Sequence, residues 1–359
     1  MLSYAQRVKS PLDSGDSTAG ARGVGVAVTS RDVARLAGVS QPTVSRALRD
    51  DPRVSNATKR SVREAADLLG YVPSDAGRAL SSGRTRRIGL LVTDLENQFY
   101  AQIIAPVHLE LERMGYQLML HTETADNETV AERLIANGLD GVILATATVD
   151  SVAPVRLRDR GLPFVYFNRT ASFVSADATV VSPTAGFAEA ASRAVQLGHR
   201  RIGAVLGPSN TSTAQSREIA LRAALAEHGL TLEQQYVRRG PFDTHSGDDG
   251  TTSLLGLPSP PTLIFCGNDV VAYGALNAAR RAGVEVPEGI SIIGFDDLPA
   301  ASWPIIELST IAYDFAEMAR EAARLLTRRI EQPDAPIAHV EFPTAFIERR
   351  TLAQPPAPV

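Results

Sequence analysis

The sequence has very few residues that form covalent or metal cross-links. Only one of its 359 residues is cysteine, Cys266, which excludes an internal disulfide and a cysteine-rich metal site. This cysteine lies in the apolar run TLIFCG, where a buried structural thiol is expected. The six histidines show no metal-ligand spacing, and they stand at positions 108, 121, 199, 228, 245 and 339. We therefore predict no metal site.

Membrane and catalytic signals are missing as well. No apolar run approaches the length of a bilayer-spanning helix, and the N-terminus has no apolar signal core. We expect a cytoplasmic, nucleoid-associated protein. Neither a nucleophile elbow nor a glycine loop for phosphate is present, so we predict no catalytic residues, no cofactor and no enzyme activity. Residues 1–27 have no usable period and predict a disordered leader or a misplaced start codon.

The chain has fewer basic than acidic residues, 36 against 40, but an excess of basic residues near the N-terminus. The chain has a formal net charge of −4, which by itself argues against nucleic-acid binding. Residues 29–87 contain twelve Arg or Lys and six Asp or Glu, a local charge of +6 that leaves −10 for the rest. Because basic side chains neutralise phosphates, the N-terminal part is the predicted nucleic-acid-binding part.

The stretch VTSRDVARLAGVSQPTVSRAL predicts two short helices. Thr29 or Ser30 can cap the first helix, and Gly38 can end it. Ser40 can cap the second at once, with Pro42 in its first turn, where a missing N–H costs nothing. Two helices around a three-residue turn with glycine form a helix-turn-helix, whose second helix enters the DNA major groove. Such pairs also occur in ordinary helical domains, so the motif alone leaves both interpretations open.

A third helix and a short segment follow. Ser55 can cap a helix whose apolar residues keep helical spacing until Gly70, which gives the domain a core. Taken in order, DVARLAGVSQPTVSRAL, GYVPSDAGRALSSG and RRIGLLV resemble the lactose-repressor (LacI/GalR) family of bacterial transcription regulators. The resemblance covers roughly residues 27–350. It implies a helix-turn-helix DNA-binding domain at 28–72, a hinge helix and linker at 73–86, an effector-binding and dimerisation domain at 87–350 and a tail at 351–359.

The resemblance assigns DNA contacts residue by residue. The second helix enters the major groove, with Gln41 and Pro42 at the positions that set specificity and Arg46 behind them. Glutamine pairs with adenine and arginine with guanine, whereas Pro42 offers only apolar contact, for example to a thymine methyl. A solvated helix surface is the alternative for each side chain. The implied contacts to phosphates or groove edges are those of Thr29, Ser40, Thr43, Ser45, Arg53, Ser55, Thr58 and Tyr71.

The hinge segment, residues 73–83, is too short to form a stable helix alone in water. In the family it folds only on DNA, paired with its copy from the other subunit. The resemblance implies that Leu80 inserts between base pairs in the minor groove. The sequence departs from the family at Gly77, where alanine is usual, and glycine destabilises a helix by up to about 1 kcal/mol. We therefore predict weaker hinge folding in this chain.

From residue 84 the pattern changes to alternating strands and helices. Seven apolar runs predict strands at 88–92, 117–120, 141–145, 164–167, 202–207, 262–267 and 291–295. Amphipathic segments lie between most of them, at 128–137, 186–197, 214–228 and 270–282. This alternation predicts parallel sheets covered on both faces. The resemblance implies a periplasmic-binding-protein-like α/β body of two subdomains with crossovers near 183, 312 and 345.

Polar residues follow several of these strands. Because open parallel sheets bind ligands beyond the carboxyl ends of their strands, we expect these residues to line a pocket. Amides, carboxylates and arginine beside aromatic rings suit a polyhydroxylated ligand, whose buried hydroxyls must be paired. The predicted effector contacts are Asp94, Phe99, Tyr100, Asn168, Asn268, Asp296 and Trp303. The same loops carry Asn97, Arg169, Asp269 and Asp297.

The resemblance adds Arg217, in AQSREIALRAAL, which matches an arginine that reaches the ligand in many members, opposite Asp296. Asp269 and Asp297 stay open to a structural role as helix caps or loop supports. Departures from the family, such as Ser182 in place of an acidic or amide residue, limit the expected effector to a sugar or related small metabolite.

These features together predict a DNA-binding repressor. We expect a homodimer that binds a pseudo-palindromic double-stranded operator and does not contact a membrane. A small-molecule effector is expected to relieve the repression. The C-terminal AQPPAPV has no heptad repeat, so a tetramer-forming helical bundle is not expected. Two alternatives stay open: a solute-binding protein, which would need an export signal, and a regulator that senses a protein partner.

Overall fold

The structure, a computed structural model, describes residues 28–72, 83–93, 95–122 and 128–356. These belong to two compact units that divide between residues 81 and 82. The predicted leader, most of the hinge segment with Gly77 and Leu80, and Asp94 lie outside the described residues. Within those four ranges, no helix is both long enough and apolar enough to cross a membrane.

Three helices around a small apolar core form the first unit. They are α1 (Ser30–Ala37), α2 (Gln41–Leu48) and α3 (Asn56–Leu69). Gly38 and Gly70 end α1 and α3 with φ of 68° and 62°, a left-handed backbone that glycine adopts without a Cβ clash. The core contains Val33, Ala34, Val44, Ala47, Val62, Ala65 and Ala66. The helix-turn-helix and the third helix that completes its core are confirmed.

Two mainly parallel sheets with helices on their faces form the second unit. The strands are β1 (Arg87–Val92), β2 (Gln117–Thr122), β3 (Gly141–Leu144), β4 (Phe164–Phe167), β5 (Ala178–Ser182), β6 (Ile202–Leu206), β7 (Val237–Arg239), β8 (Leu263–Cys266), β9 (Ser291–Asp296), β10 (Ser309–Ala312), β11 (His339–Pro343) and β12 (Ala345–Ile347). The α-helices are α4 (Gln98–Arg113), α5 (Glu128–Ala136), α6 (Ala153–Asp159), α7 (Thr184–Leu197), α8 (Ser212–Glu227), α9 (Thr244–Leu255), α10 (Asp269–Arg281) and α11 (Phe315–Glu331). Short 3₁₀ helices lie at Gln234–Tyr236 and Pro299–Ser302.

The strand order reverses direction once in each sheet. The first sheet has the order β11-β5-β4-β3-β1-β2 and the second the order β12-β10-β9-β8-β6-β7. Every described pairing is parallel except that of β10 with β12. In the first sheet, the next two strands, β2 and β3, lie on opposite sides of β1. In the second sheet, β7 and β8 lie on opposite sides of β6 in the same way. Parallel sheets bind ligands in the crevice beyond the strand ends at such points.

The chain passes between the two sheets three times. It leaves the first sheet after β5 and returns after β10 through α11, which packs on α4, β3, β4 and β5. It passes again between β11 and β12, where Thr344 donates to the Ser182 carbonyl and accepts from the Gly186 amide, both at 3.0 Å. We call the first sheet with its helices the first lobe, and the second sheet with its helices the second lobe.

Candidate DNA interface and ligand cleft

The N-terminus of α2 carries the predicted base-reading side chains on an exposed surface. Ser40 precedes the helix, and its hydroxyl lies 2.8 Å from the Thr43 hydroxyl. Gln41, Pro42 and Arg46 are exposed, while the neighbouring apolar residues of α2 face the core. This division leaves the polar side of α2 open to a groove, as a recognition helix requires.

Local hydrogen bonds hold several of these side chains in place. Gln41 Nε2 donates to Ser30 Oγ at 2.9 Å, which uses one of its two N–H donors and orients the amide. Arg49 Nη2 donates to Ser45 Oγ at 2.8 Å. Arg46 donates no side-chain hydrogen bond to the part of the chain that the structure describes. Its donors are therefore available to a base edge without the loss of an internal bond.

The residues predicted to bind phosphate lie mainly at helix N-termini. Thr29 precedes α1 and donates from its hydroxyl to Asp32 at 2.7 Å, and this bond lowers the pKa of Asp32. Ser55 precedes α3 and accepts from the Thr58 amide at 3.2 Å. Unpaired amides and the helix dipole make such positions favourable for anions.

Two of the predicted phosphate contacts have other partners in the structure. The Arg53 guanidinium donates to the Asp51 carboxylate at 2.7 Å, and this pair lowers the pKa of Asp51. Tyr71 is half-buried and packs on the core of the first unit. The DNA contacts of both residues stay predictions.

A cleft between the two lobes of the second unit gathers most of the predicted effector residues. It contains about 320 Å³ of unoccupied space, part of it open to solvent. Six predicted contacts line it, namely Phe99, Tyr100, Asn168, Arg217, Asn268 and Asp296. The lining is completed by Asn97, Arg169, Thr213 and Phe242. The loops after β1, β4, β6, β7, β8 and β9 thus converge on one space.

A buried ion pair lies at the floor of this cleft. Arg217, on α8, donates to Asp296 Oδ1 at 2.8 Å and to the Gly267 carbonyl at 2.6 Å. Its guanidinium also stacks on the Phe295 ring, 3.8 Å from the centroid. Burial raises the pKa of Asp296, and Arg217 acts in the opposite direction. The pair therefore leaves little of either charge for solvent and presents a fixed, polar surface to the cleft.

Strained backbone points two of these side chains into the cleft. Asn168 and Asp296, at the ends of β4 and β9, have φ of 63° and 113°. Residues other than glycine occupy such conformations only where the surrounding structure enforces them, which is common at ligand sites. The strain is stored at the two strand ends that face each other across the cleft.

Hydrogen bonds between the lobes show that the cleft is closed. Asn97 Nδ2 donates to the Phe242 carbonyl at 3.0 Å. The Thr170 amide donates to Ser212 Oγ at 2.9 Å, and the Val149 amide donates to the Asn210 carbonyl at 2.8 Å. Each bond joins the first lobe to the second and is lost if the lobes separate.

Two polar atoms in the closed cleft lack partners. Asn168 and Thr213 are 8% and 6% exposed, and neither Asn168 Oδ1 nor Thr213 Oγ1 has a hydrogen-bond partner in the described chain. A buried polar atom without a partner costs about 1–3 kcal/mol. A ligand hydroxyl that bonds both atoms would recover that cost.

A second chamber adjoins the first and shares Asn168, Thr213 and Arg217 with it. It contains about 740 Å³ of unoccupied space, part of it open to solvent, and is also lined by Ser182 and Ser216. The shared residues therefore stand between two spaces, and the ligand site need not end at the first chamber.

Other predicted site residues have structural roles or lie elsewhere. The Asp269 carboxylate is buried and accepts from the Leu298 amide at 2.7 Å and the Thr310 hydroxyl at 2.6 Å, so it supports the loop after β9. Asn268 caps α10 through Oδ1, which accepts from the Val271 amide. Trp303 is 55% exposed and does not line the first chamber, because the 3₁₀ helix after β9 carries it outward.

Comparison with known proteins identifies the two units. The family of bacterial regulatory proteins, lacI family, matches residues 29–74, and the periplasmic binding protein-like domain matches residues 191–352. The HTH-type transcriptional repressor CytR of Escherichia coli (strain K12) is 33% identical over 308 residues, which are 85% of this chain and 90% of the relative.

Solved structures agree with this assignment. A lac repressor dimer bound to operator and the anti-inducer ONPF matches with a TM-score of 0.82 and 25% identity, over 91% of this chain and 99% of that one. A complex of the transcriptional regulator CelR with cellobiose matches with a TM-score of 0.70 and 29% identity, over 90% of this chain and 100% of that one. The chain belongs to the LacI family, and it is a DNA-binding transcription regulator with a periplasmic-binding-protein-like effector domain.

Proposed function

We propose that the chain is a homodimeric repressor that binds a pseudo-palindromic operator and releases it when a sugar or related metabolite occupies the cleft. One helix-turn-helix contacts each half-site, with Gln41, Pro42 and Arg46 at the base edges. The similar lac repressor structure is a dimer on its operator, and the similar CelR structure holds a sugar. The protein acts on nucleoid DNA in the cytoplasm and catalyses no reaction.

One observation carries the assignment of the effector site. The closed cleft brings a buried ion pair, Arg217 with Asp296, beside the unpartnered buried atoms of Asn168 and Thr213. Paired charges and open hydrogen-bond sites next to the rings of Phe99 and Phe242 are the features that hold a hydroxylated ligand. Because these groups come from both lobes, a ligand that binds all of them stabilises closure.

The attachment of the linker gives closure a route to the DNA-binding unit. The amides of Thr85 and Arg86 donate to the Asp140 carboxylate at 2.8 and 2.9 Å. Arg84 donates to the Ile330 carbonyl at the end of α11. These bonds fix the start of the second unit to the first lobe, so a change in that lobe's position moves the segment that leads to the helix-turn-helix. The coupling is reciprocal: operator must change effector affinity by the same factor.

Fluorescence anisotropy of a labelled operator tests this function. We expect the protein to bind as a dimer, which sedimentation of the complex measures, and a sugar that binds the cleft to weaken operator binding. The expected change is about 5- to 150-fold, the usual range of allosteric coupling. A complex with a single protomer, or an operator affinity that no sugar or related metabolite changes, would contradict the proposal.

A further inference from the structure

One cation in the cleft has no hydrogen-bond partner. The Arg169 guanidinium lies over the Phe242 ring, 5.5 Å from its centroid. Within the described residues it donates no hydrogen bond and forms no ion pair, although it lines the cleft and is only partly exposed. Arg217, by contrast, uses its donors on Gly267 and Asp296. The five N–H donors of Arg169 are therefore free for a ligand.

The charges that line the first chamber do not balance. Arg169 and Arg217 are its cations, and Asp296 is the only carboxylate among its described lining residues. Asp296 lies 2.8 Å from Arg217 and is already paired with it. Among the described lining residues, Arg169 therefore has no carboxylate of its own, and Asp296, whose pKa it helps to lower, is bonded to Arg217 instead.

The contact with the Phe242 ring positions the Arg169 guanidinium in the closed cleft. Arg169 belongs to the first lobe and Phe242 to the second, so the stack exists only when the cleft is closed. The contact with the ring uses none of the N–H donors of the guanidinium, which form a fork that fits a carboxylate or a phosphate. The neighbouring Asn168 Oδ1 and Thr213 Oγ1 are the partners for hydroxyls of the same ligand.

We infer that the effector is an acidic sugar, a uronate or a sugar phosphate, whose oxyanion is bound by Arg169. This inference rests on the proposed function, in which a small molecule binds this cleft. The oxyanion accepts two parallel hydrogen bonds from the guanidinium, and the sugar hydroxyls bond Asn168 and Thr213. Closure then buries the charge pair and strengthens it.

Matched pairs of ligands test the inference on the full-length protein. Titration calorimetry compares glucuronate with glucose, galacturonate with galactose, glucose 6-phosphate with glucose, and ribose 5-phosphate with ribose. We expect at least one acid to bind roughly tenfold or more tightly than its neutral partner, as a charge-assisted hydrogen bond implies. The uronate and phosphate pairs distinguish the two sources of the oxyanion.

Three variants locate the effect. Arg169→Gln is expected to remove the preference, so that each acid binds no more tightly than its neutral partner. Arg169→Lys keeps the charge without the fork and is expected to retain part of the preference. Arg160→Gln is the control, because Arg160 is exposed in the same lobe, pairs with Glu132 at 3.2 Å and lies outside the cleft lining. This control is expected to match wild type.

Three outcomes overturn the inference. A neutral sugar that binds as tightly as its acid, or an Arg169→Gln variant with wild-type acid affinity, would show that Arg169 only joins the lobes through Phe242. Binding of no member of any pair would also reject an acidic sugar. Operator anisotropy in the same samples distinguishes failure of this inference from failure of the proposed function. Operator release by a neutral sugar would support the proposed function without the acidic effector. No operator binding in any sample would reject the proposed function.

Discussion

Replacing Arg217 with methionine is expected to destabilise the protein far more than replacing Arg222. Both arginines lie on α8, and each pairs with a carboxylate, at 2.8 Å to Asp296 and 2.9 Å to Glu218. The two pairs differ in burial. The side chains of Arg217 and Asp296 are 6% and 2% exposed, whereas that of Arg222 is 37% exposed.

Burial sets the magnitude of each loss. Removal of Arg217 leaves a buried carboxylate without its cation, which costs about 3–5 kcal/mol. The Arg222 pair, at helical spacing, is worth about 0.3–0.5 kcal/mol, and the bond from Arg222 to the Leu232 carbonyl at 2.8 Å adds about 0.5–1.5 kcal/mol. Replacing Arg217 with Met and Asp296 with Asn together is expected to cost less than the sum of the single changes, because neither charge is then left unpaired.

Urea unfolding followed by fluorescence measures these losses. The only tryptophan, Trp303, lies in the second unit and reports on that unit. Equal losses for Arg217→Met and Arg222→Met, or strictly additive losses for Arg217 and Asp296, would refute the argument from burial. Where Arg217→Met remains folded, we expect operator binding to persist and the effector response to disappear; loss of both would indicate a folding defect.

Other predictions concern DNA binding and pH. Arg46→Ala is expected to weaken binding to the selected operator by about 1–3 kcal/mol and to relax base preference at one position, whereas Arg53→Ala, at a predicted phosphate contact, should weaken all duplexes about equally, as anisotropy on operator variants checks. Gly77→Ala should tighten operator binding through a more stable hinge helix, and an unchanged affinity would argue against it. Leu80→Ala should reduce DNA bending, measured by energy transfer between labelled ends. A normal bend would show that Leu80 does not insert between base pairs. Burial lowers the pKa of His199 below its usual value of about 6.5, so the free energy of unfolding should fall as pH drops below that value, and His199→Gln should flatten the profile in urea titrations.

The apolar runs predicted seven strands, including the edge strand β2, but not β5, β7, β10, β11 or β12. The strands β1, β3, β4, β8 and β9 are buried almost throughout, so their sequences are continuously apolar. The strand β11 alternates between exposed and half-buried positions, and β7 and β12 have three residues each. Such short or half-exposed strands are defined by the neighbour they pair with, which sequence periodicity does not contain.

The cleft residues were found where a predicted strand preceded them. Asn168 and Asn268 follow β4 and β8, Asp296 is the last residue of β9, and all three line the cleft. Phe242 was missed because it follows β7, whose sequence VRR has no apolar pattern. Thr213 was missed because it lies one residue inside α8, and only the closed lobes show that its hydroxyl faces the cleft without a partner.

The roles of Asp269 and His199 depend on contacts with residues far away in the sequence. The sequence left Asp269 open between ligand contact and loop support, and its bonds to Leu298 and Thr310 favour support. His199 has a structural role, since its ring bonds Thr262 and the Ala353 carbonyl at 2.9 and 2.8 Å. These partners stand 63 and 154 residues away in the chain, beyond the reach of any local pattern.

Selection of duplexes from a random pool by the purified full-length protein tests the central claim most directly. The account predicts enrichment of a pseudo-palindrome whose affinity falls steeply with salt concentration, because arginines and lysines of the helix-turn-helix unit displace counterions from phosphates. Adding the panel of neutral and acidic sugars to the pool guards against a requirement for a corepressor. No enriched sequence with or without these sugars, or an enriched site without two-fold symmetry, would contradict the account.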